Sequence, residues 1–328
     1  MFFSIVIPTY NPKKFLPDLL SSIRTNDCKD QIEIIISDDC SNEPFSEVIE
    51  RFKDLNIKLI TNDHHYGFPR TGRENGLNTA TGKWITFIDQ DDIFVDHALD
   101  SVKEAIEVKE MHNVLYCDFY IKDPERSKEL TVKSGMFGWT HGKFFEKEFL
   151  TKYQIHYDEV QYGEDINFCT KVQCVLTENR CLVNRIDVPV YVWQKSKDSL
   201  SSGDYLLYSM KDYVQSTFGV EVSYLEKHQP EDDCYNDFVY MCLCNILHVY
   251  FYTQHGLFWT NKRMLAEIIA CLSVYVERFK KHLNCTTIDI IDTILSDYNT
   301  YNTIRQTDNA QIEFIEQISF PNWMALYF

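Results

Sequence analysis

Three carboxylates stand within four residues at Asp89-Gln90-Asp91-Asp92, directly after the apolar run 84–88. Like charges that close repel one another. Such a cluster is either a solvated acidic turn, with Asp92 capping the next helix, or a seat for a hard divalent cation that bridges substrate phosphates. A second acidic pair, Asp38-Asp39, ends the apolar run 32–37. Two such acidic clusters at the ends of strands in one sheet favour the cation. Gly163-Glu164-Asp165 opens a helical pattern. Its carboxylates make either a favourable first helical turn or a general base for an acceptor hydroxyl. Pro8-Thr9-Tyr10-Asn11 follows the first apolar run. An aromatic there can stack on a nucleobase, and the same residues also suit a plain turn.

These groups must be positioned by the elements between them. Apolar runs at 4–7, 32–37, 57–61, 83–88 and 114–120 read as strands. Helical spacing recurs at 14–25, 45–53, 70–80 and 98–109. Strand-helix alternation implies an α/β fold whose sheet is mainly parallel and flanked by helices. In such sheets ligands bind at the carboxyl ends of the strands, where the polar clusters fall. Beyond residue 122 the pattern is mixed, with helices expected at 143–153 and 164–176 and strands at 181–183 and 188–193. From residue 205 onward it is all helical, at 205–217, 232–253, 262–282, 288–295 and 310–318. Ser201-Ser202-Gly203 marks the expected boundary, giving an α/β domain at 1–203 and a helical domain at 204–328 for acceptor binding or self-association.

Composition narrows the classes. The 328 residues carry 49 acidic and 32 basic side chains, a formal charge of −17, which argues against a broad cationic surface for nucleic acid or anionic lipid. The 11 cysteines are odd in number and lack repeated paired spacing, so they read as free thiols in a reducing compartment. No apolar stretch reaches the roughly 18 residues of a membrane span, and the first eight residues lack the features of a signal peptide. A cytoplasmic protein is expected.

The order of motifs resembles the inverting family 2 glycosyltransferases, whose nucleotide-sugar-binding domain has the Rossmann-like GT-A fold. The resemblance rests on Ile5-Val6-Ile7-Pro8-Thr9-Tyr10-Asn11, Ile36-Ser37-Asp38-Asp39-Cys40-Ser41, Gly72-Arg73-Glu74-Asn75-Gly76-Leu77 and Ala80-Thr81-Gly82-Lys83-Trp84-Ile85. It continues through Phe87-Ile88-Asp89-Gln90-Asp91-Asp92, Lys143-Phe144-Phe145-Glu146-Lys147-Glu148-Phe149-Leu150 and Gly163-Glu164-Asp165-Ile166-Asn167-Phe168. The resemblance implies a nucleoside-diphosphate sugar as donor, usually a UDP-sugar, with manganese or magnesium. Tyr10 would flank the base, with Pro8, Thr9 and Asn11 shaping that wall. Asp39 would accept a hydrogen bond from the base, and Arg73 and Gln90 would lie near the nucleotide. Asp89 would reach the ribose and share the metal with Asp91. Asp165 would be the base, with Glu164 beside it.

The chain departs from the family pattern at 72–76, where Ala-Arg-Asn-x-Gly is usual. After the base helix, where many members place His or Arg, Lys195 and Lys197 are the available cations for the diphosphate. His64, His65 and His141 read as polar loop residues rather than ligands. The acceptor is expected to be a glycan hydroxyl. The alternative is a hydroxymethylated DNA base (hydroxymethylcytosine), as in some large bacteriophages, with a protein or small molecule also open. A basic helix end, with Lys262, Arg263, Arg278, Lys280 and Lys281, is either packing surface or a contact for phosphate groups. A non-catalytic nucleotide-sugar-binding module would lack a metal carboxylate or the base, and both Asp91 and Asp165 are present.

Overall fold

The computed structural model describes residues 1–122, 131–133, 138–160, 163–181, 183–194, 210–253 and 262–282. It divides into two compact units, one of Met1–Leu176 with Cys181–Ser202, the other of Thr177–Arg180 with Gly203–Phe328.

The first unit is built on one mixed sheet. Its strands are β1 (Phe3–Thr9), β2 (Ile32–Asp38), β3 (Ile57–Thr61), β4 (Trp84–Phe87), β5 (Ile93–Phe94), β6 (Val114–Lys122), β7 (Thr131–Lys133), β8 (Lys143–Glu146) and β9 (Asn184–Gln194). The order is β3-β2-β1-β4-β8-β6-β9-β5, with β7 on β6. The strands β3, β2, β1 and β4 run parallel, and β8 then enters antiparallel to both β4 and β6. β1 and β2 are buried along their whole length, as parallel strands covered on both faces must be. Helices α1 (Leu16–Arg24), α2 (Ser46–Glu50), α3 (Pro69–Thr79) and α4 (Ala98–Lys109) link the parallel strands, and α5 (Lys147–Lys152) and α6 (Glu164–Glu178) follow β8. This is the GT-A arrangement that the motif order implies.

Three expectations need correction. Residues 143–146 form a strand, not the start of a helix, because β4 and β6 bracket them with open edges. Residues 184–194 form one strand rather than two, and Cys181 and Val183 lie outside it. Asp92 does not cap α4, whose N-cap is His97. The helices expected at 288–295 and 310–318 fall outside the described residues, as do Lys195 and Lys197.

Helix α3 approaches β1 closely. A Cβ at Gly76 would meet Val6 Cγ1 at 2.2 Å, and one at Gly72 would meet Pro8 Cβ at 2.9 Å. Gly142 has φ +65° and faces the Cys117 carbonyl, which a Cβ would meet at 2.7 Å.

In the second unit, the helical turn Val214–Phe218 and helices Gly219–Leu225, Tyr235–Thr253 and Lys262–Phe279 carry a core that includes Phe218, Phe238, Leu247 and Leu272. A buried polar chain crosses it: the Tyr213 hydroxyl donates to Asn245, and Asn245 donates to Glu221. Burial pushes Glu221 up to about 8. No helix among the described residues is long and apolar enough to cross a membrane.

Glu33 closes the amino-terminal edge of the sheet. It accepts from the Ser4 hydroxyl, from the Thr81 amide and hydroxyl, from the Gly82 amide at 3.0 Å, and from Lys58 Nζ at 2.7 Å. These donors hold its pKa at about 2, against 4.5 for an unperturbed Glu. A depressed carboxylate pKa contributes stability above the unfolded pKa and loses it as pH falls toward the folded one. Glu33→Gln should therefore reduce unfolding stability at neutral pH by about 2–3 kcal/mol. The difference between wild type and variant should shrink as pH falls from 4.5 toward 2. Urea titrations across that range read it directly, and a pH-independent difference would locate the effect in packing.

Candidate active site

The parallel strand order reverses between β1 and β4, which makes their carboxyl ends the switch-point crevice of the sheet. Gln90 stitches the two ends together. Its Nε2 donates to the Tyr10 carbonyl at 3.0 Å, and its Oε1 accepts the Tyr10 amide at 2.9 Å. The side chain expected to meet the nucleotide is thus spent on fixing the Tyr10 backbone. The Tyr10 hydroxyl accepts from Asn42 Nδ2 at 2.8 Å. Asn11, at φ 47°, accepts the amides of Asn42 and Glu43 through its side chain. Thr9 is buried, its hydroxyl on the Ser37 carbonyl at 3.3 Å, and Pro8 packs under Gly72. The β1 turn is therefore a rigid wall that displays the Tyr10 ring.

Asp39 lies beside that ring. Asn62 Nδ2 and the Tyr66 amide donate to its Oδ1 at 2.8 and 3.0 Å, and the Gly67 amide donates to Oδ2 at 2.8 Å. Asn62 is itself held by Asn75 Nδ2 at 2.8 Å. Glu74, which replaces the Asn usual in the family, points elsewhere and accepts the Tyr157 amide at 2.9 Å.

Arg73 joins the acidic strand end to the start of α6. Its guanidinium is buried, donates to Asp89 Oδ1 at 2.6 Å, and makes a second, short ion pair with Glu164. The two carboxylates compete for one buried cation. Desolvation pushes both upward, yet Arg73 keeps Asp89 below the usual carboxylate range while Glu164 rises. Asp165 is half-buried at the first turn of α6, and its Oδ1 accepts the Ile166 amide at 2.8 Å. Burial raises its pKa, which strengthens it as a base.

The remaining carboxylates meet a histidine. Ligand atoms of Asp89, Asp92 and His141 lie within 4.8 Å of one another. Asp92 is buried, accepting from the Tyr191 hydroxyl and from the Gln194 amide at 2.7 Å. A solvated acidic turn is excluded for it. Burial and the neighbouring Asp89 and Asp91 hold its pKa well above normal. Asp91, half-buried, is pushed up to about 6 by burial and by Asp89. His141 stands among Trp139, Trp193, Tyr191 and Phe119, with ring centroids at 5.8, 5.5, 4.9 and 5.8 Å. Burial drops its pKa to about 4, so the imidazole is neutral, and its buried Nδ1 has no hydrogen-bond partner among the described residues. An ionised Asp89, the crowded Asp91 and Asp92, and a neutral imidazole are a donor set suited to a divalent cation.

His141, read from the sequence as a polar loop residue, joins this candidate set only through the fold, because Asp89 and Asp92 are far from it in sequence. Its turn is fixed from below: the Cys117 amide donates to the Gly142 carbonyl at 2.8 Å, and the buried Lys143 donates to the Trp139 carbonyl. His64 and His65 do lie in a loop, as expected. In the second unit, Arg278 pairs with Glu226 at 2.6 Å and Lys280 with Glu277 at 2.8 Å. Arg263 meets Glu267 at 3.3 Å. Much of the basic helix end is thus neutralised by its own unit.

Arg73→Met would leave the buried Glu164 and the half-buried Asp89 without their cation. It should destabilise the protein by about 3–5 kcal/mol, seen as a lowered urea midpoint. Arg73→Lys should recover only part, because an ammonium cannot fork across both partners. A Met variant as stable as wild type would show that the pair is not held ionised.

Comparison with known proteins agrees with this fold. Residues 4–162 match the family model described as glycosyl transferase family 2. Over 154 residues the chain is 29% identical to the GalNAc(5)-diNAcBac-PP-undecaprenol beta-1,3-glucosyltransferase of Campylobacter jejuni, covering 43% of this chain and 50% of that protein. It is 34% identical over 109 residues to the poly(ribitol-phosphate) beta-N-acetylglucosaminyltransferase TarS of Staphylococcus aureus, covering 33% of this chain and 19% of TarS. The chain thus spans half or less of these two relatives. Among solved structures, S. aureus TarS 1-349 in complex with UDP-GlcNAc superposes with a TM-score of 0.68 at 19% identity, covering 92% of each chain. The mannosyltransferase of Pyrobaculum calidifontis in complex with GDP-Man and Mn2+ gives 0.52 at 15% identity, covering 92% of this chain and 83% of that one. At such identities the structural likeness speaks for the fold. Motif order, fold and family match together place the N-terminal unit of this chain in glycosyl transferase family 2.

Proposed function

We propose that this glycosyltransferase moves a sugar from a uridine diphosphate sugar to an acceptor hydroxyl, with inversion at the anomeric carbon and Asp165 as general base. The observation that carries the reading is the Arg73 bridge. It ties the acidic end of β4 to the first turn of α6, so the place for a diphosphate and the place for a base belong to one buried ion network. The uridine-type base is supported by the Tyr10 ring with Asp39 beside it, and by the UDP-GlcNAc held by the TarS structure.

Asp89 and Asp91, with Asp92 and His141 behind them, are the residues that would hold manganese or magnesium. The ion would supply positive charge against which a diphosphate can leave. Asp165 accepts the proton of the acceptor hydroxyl, the oxygen forms its bond to the anomeric carbon, and the bond to the diphosphate oxygen breaks with its electron pair. One in-line displacement inverts the configuration. Arg73 and Glu164 act by holding Asp89 and the α6 turn in place. A glycan acceptor is the reading that fits best. The relatives named above act on lipid-linked or polymer acceptors by their names, and the ion-paired basic helix end gives a nucleic-acid acceptor no support.

Thermal melts with nucleoside diphosphates and nucleotide sugars, with and without manganese, test the donor. A bound ligand at 100–1,000 times its dissociation constant should add about 3–4 kcal/mol of stability. A shift that requires manganese, is largest for a uridine nucleotide and is lost in Asp91→Ala is expected. No shift with any nucleotide would reject the donor assignment. Asp165→Asn should keep that shift yet lower transfer by about 10²–10⁴-fold, because a positioned general base contributes that much. Turnover equal to wild type would remove Asp165 from the role.

A further inference from the structure

The four donors on Asp39 are not equivalent. Three belong to the framework: the amides of Tyr66 and Gly67, and the buried Asn62 side chain tied to Asn75. The fourth is His65, whose Nδ1 lies 2.9 Å from Asp39 Oδ2 and 3.1 Å from the Asp39 carbonyl oxygen. Both partners are acceptors, so Nδ1 carries the proton. A carboxylate offers about four acceptor positions; the framework donors take three, and the His65 N–H, hydrogen-bonded to the Asp39 carbonyl oxygen, stands over the fourth at Oδ2. The same imidazole stacks on Tyr10, with ring centroids 4.1 Å apart and planes at 24°. No second ring fits between rings at that spacing. Its side chain is nevertheless 46% exposed, whereas Asn62, the other side-chain donor, is buried and held by Asn75.

A flat ring on Tyr10 with an N–H directed to Asp39 is the pattern that an imide-type base such as uracil would present. We infer that His65 occupies the base position of the donor-free enzyme as a built-in mimic, and that a nucleotide base binds by displacing it. This rests on the base-site reading given above. The consequence is a threshold. A base must supply both a stacking face and an N–H donor to replace what His65 already gives, so His65 tunes which nucleotides bind and how tightly. Groups that bind only through phosphate meet no such competitor. If the plugged form holds about nine-tenths of the molecules, removing it tightens base binding about tenfold, because apparent affinity scales with the competent fraction.

The test is calorimetric titration of UDP and of inorganic pyrophosphate, each with manganese, against wild type, His65→Ala, His65→Phe and Asp39→Ala. The inference expects His65→Ala to bind UDP about five- to tenfold more tightly and pyrophosphate unchanged. His65→Phe keeps the stack without the N–H and should fall between the two. In proton spectra, the wild-type His65 ring resonances should lose their Tyr10 ring-current shift when UDP binds, and keep it with pyrophosphate. Weaker or unchanged UDP binding by His65→Ala would overturn the inference, making His65 a base contact or a bystander. If Asp39→Ala binds UDP as wild type does, the base-site reading itself fails and the mimic with it.

Discussion

The Arg73 guanidinium lies buried between Asp89 at the end of β4 and Glu164 at the start of α6, and the acidic centre depends on that placement. Asp89, Asp91, Asp92, Glu164 and Asp165 crowd one end of the sheet. An uncompensated carboxylate in the interior takes up a proton instead of keeping its charge. One permanent cation lets Asp89 stay ionised, lets Glu164 be buried, and fixes the first turn of α6 relative to β4. Because Arg73 sits on α3, the helix that crosses β1, the same ion pair also registers that helix against both partners.

The two edges of the parallel sheet put carboxylates to opposite uses. At the amino edge, Glu33 is surrounded by amides, hydroxyls and an ammonium, and its charge is fully matched. At the carboxyl edge, Asp91 is crowded by Asp89, Asp92 is raised by both, and His141 keeps an unsatisfied nitrogen. A matched charge contributes to folding. An unmatched one costs desolvation and is driven toward its protonated form.

Much of this was legible in the sequence because parallel strands announce themselves. β1, β2 and β4 are apolar runs that stop at polar residues, and those stops are the candidate site. The antiparallel half was harder to read. Residues 143–150 place Phe144, Phe145, Phe149 and Leu150 at spacings that suit a helix, and only the open edges of β4 and β6 make the first four a strand. Long-range partners leave no local trace. Arg73 and Glu164 are 91 positions apart, and His141 is as remote from Asp92 as any loop residue. Gln90 was read as a nucleotide contact from its neighbours, and its hold on the Tyr10 backbone depends on two strand ends being adjacent.

Gly72 and Gly76 bring α3 within touching distance of β1. Neither can meet a ligand through a side chain, yet any side chain there would push the helix outward and draw Arg73 away from its two carboxylates. A map of mutational sensitivity over this chain would therefore colour one face of α3 as strongly as the acidic strand end. Read as a footprint, that map would outline a site larger than the acidic strand end. Read as mechanics, it would trace the brace that keeps Arg73 in register with its two carboxylates.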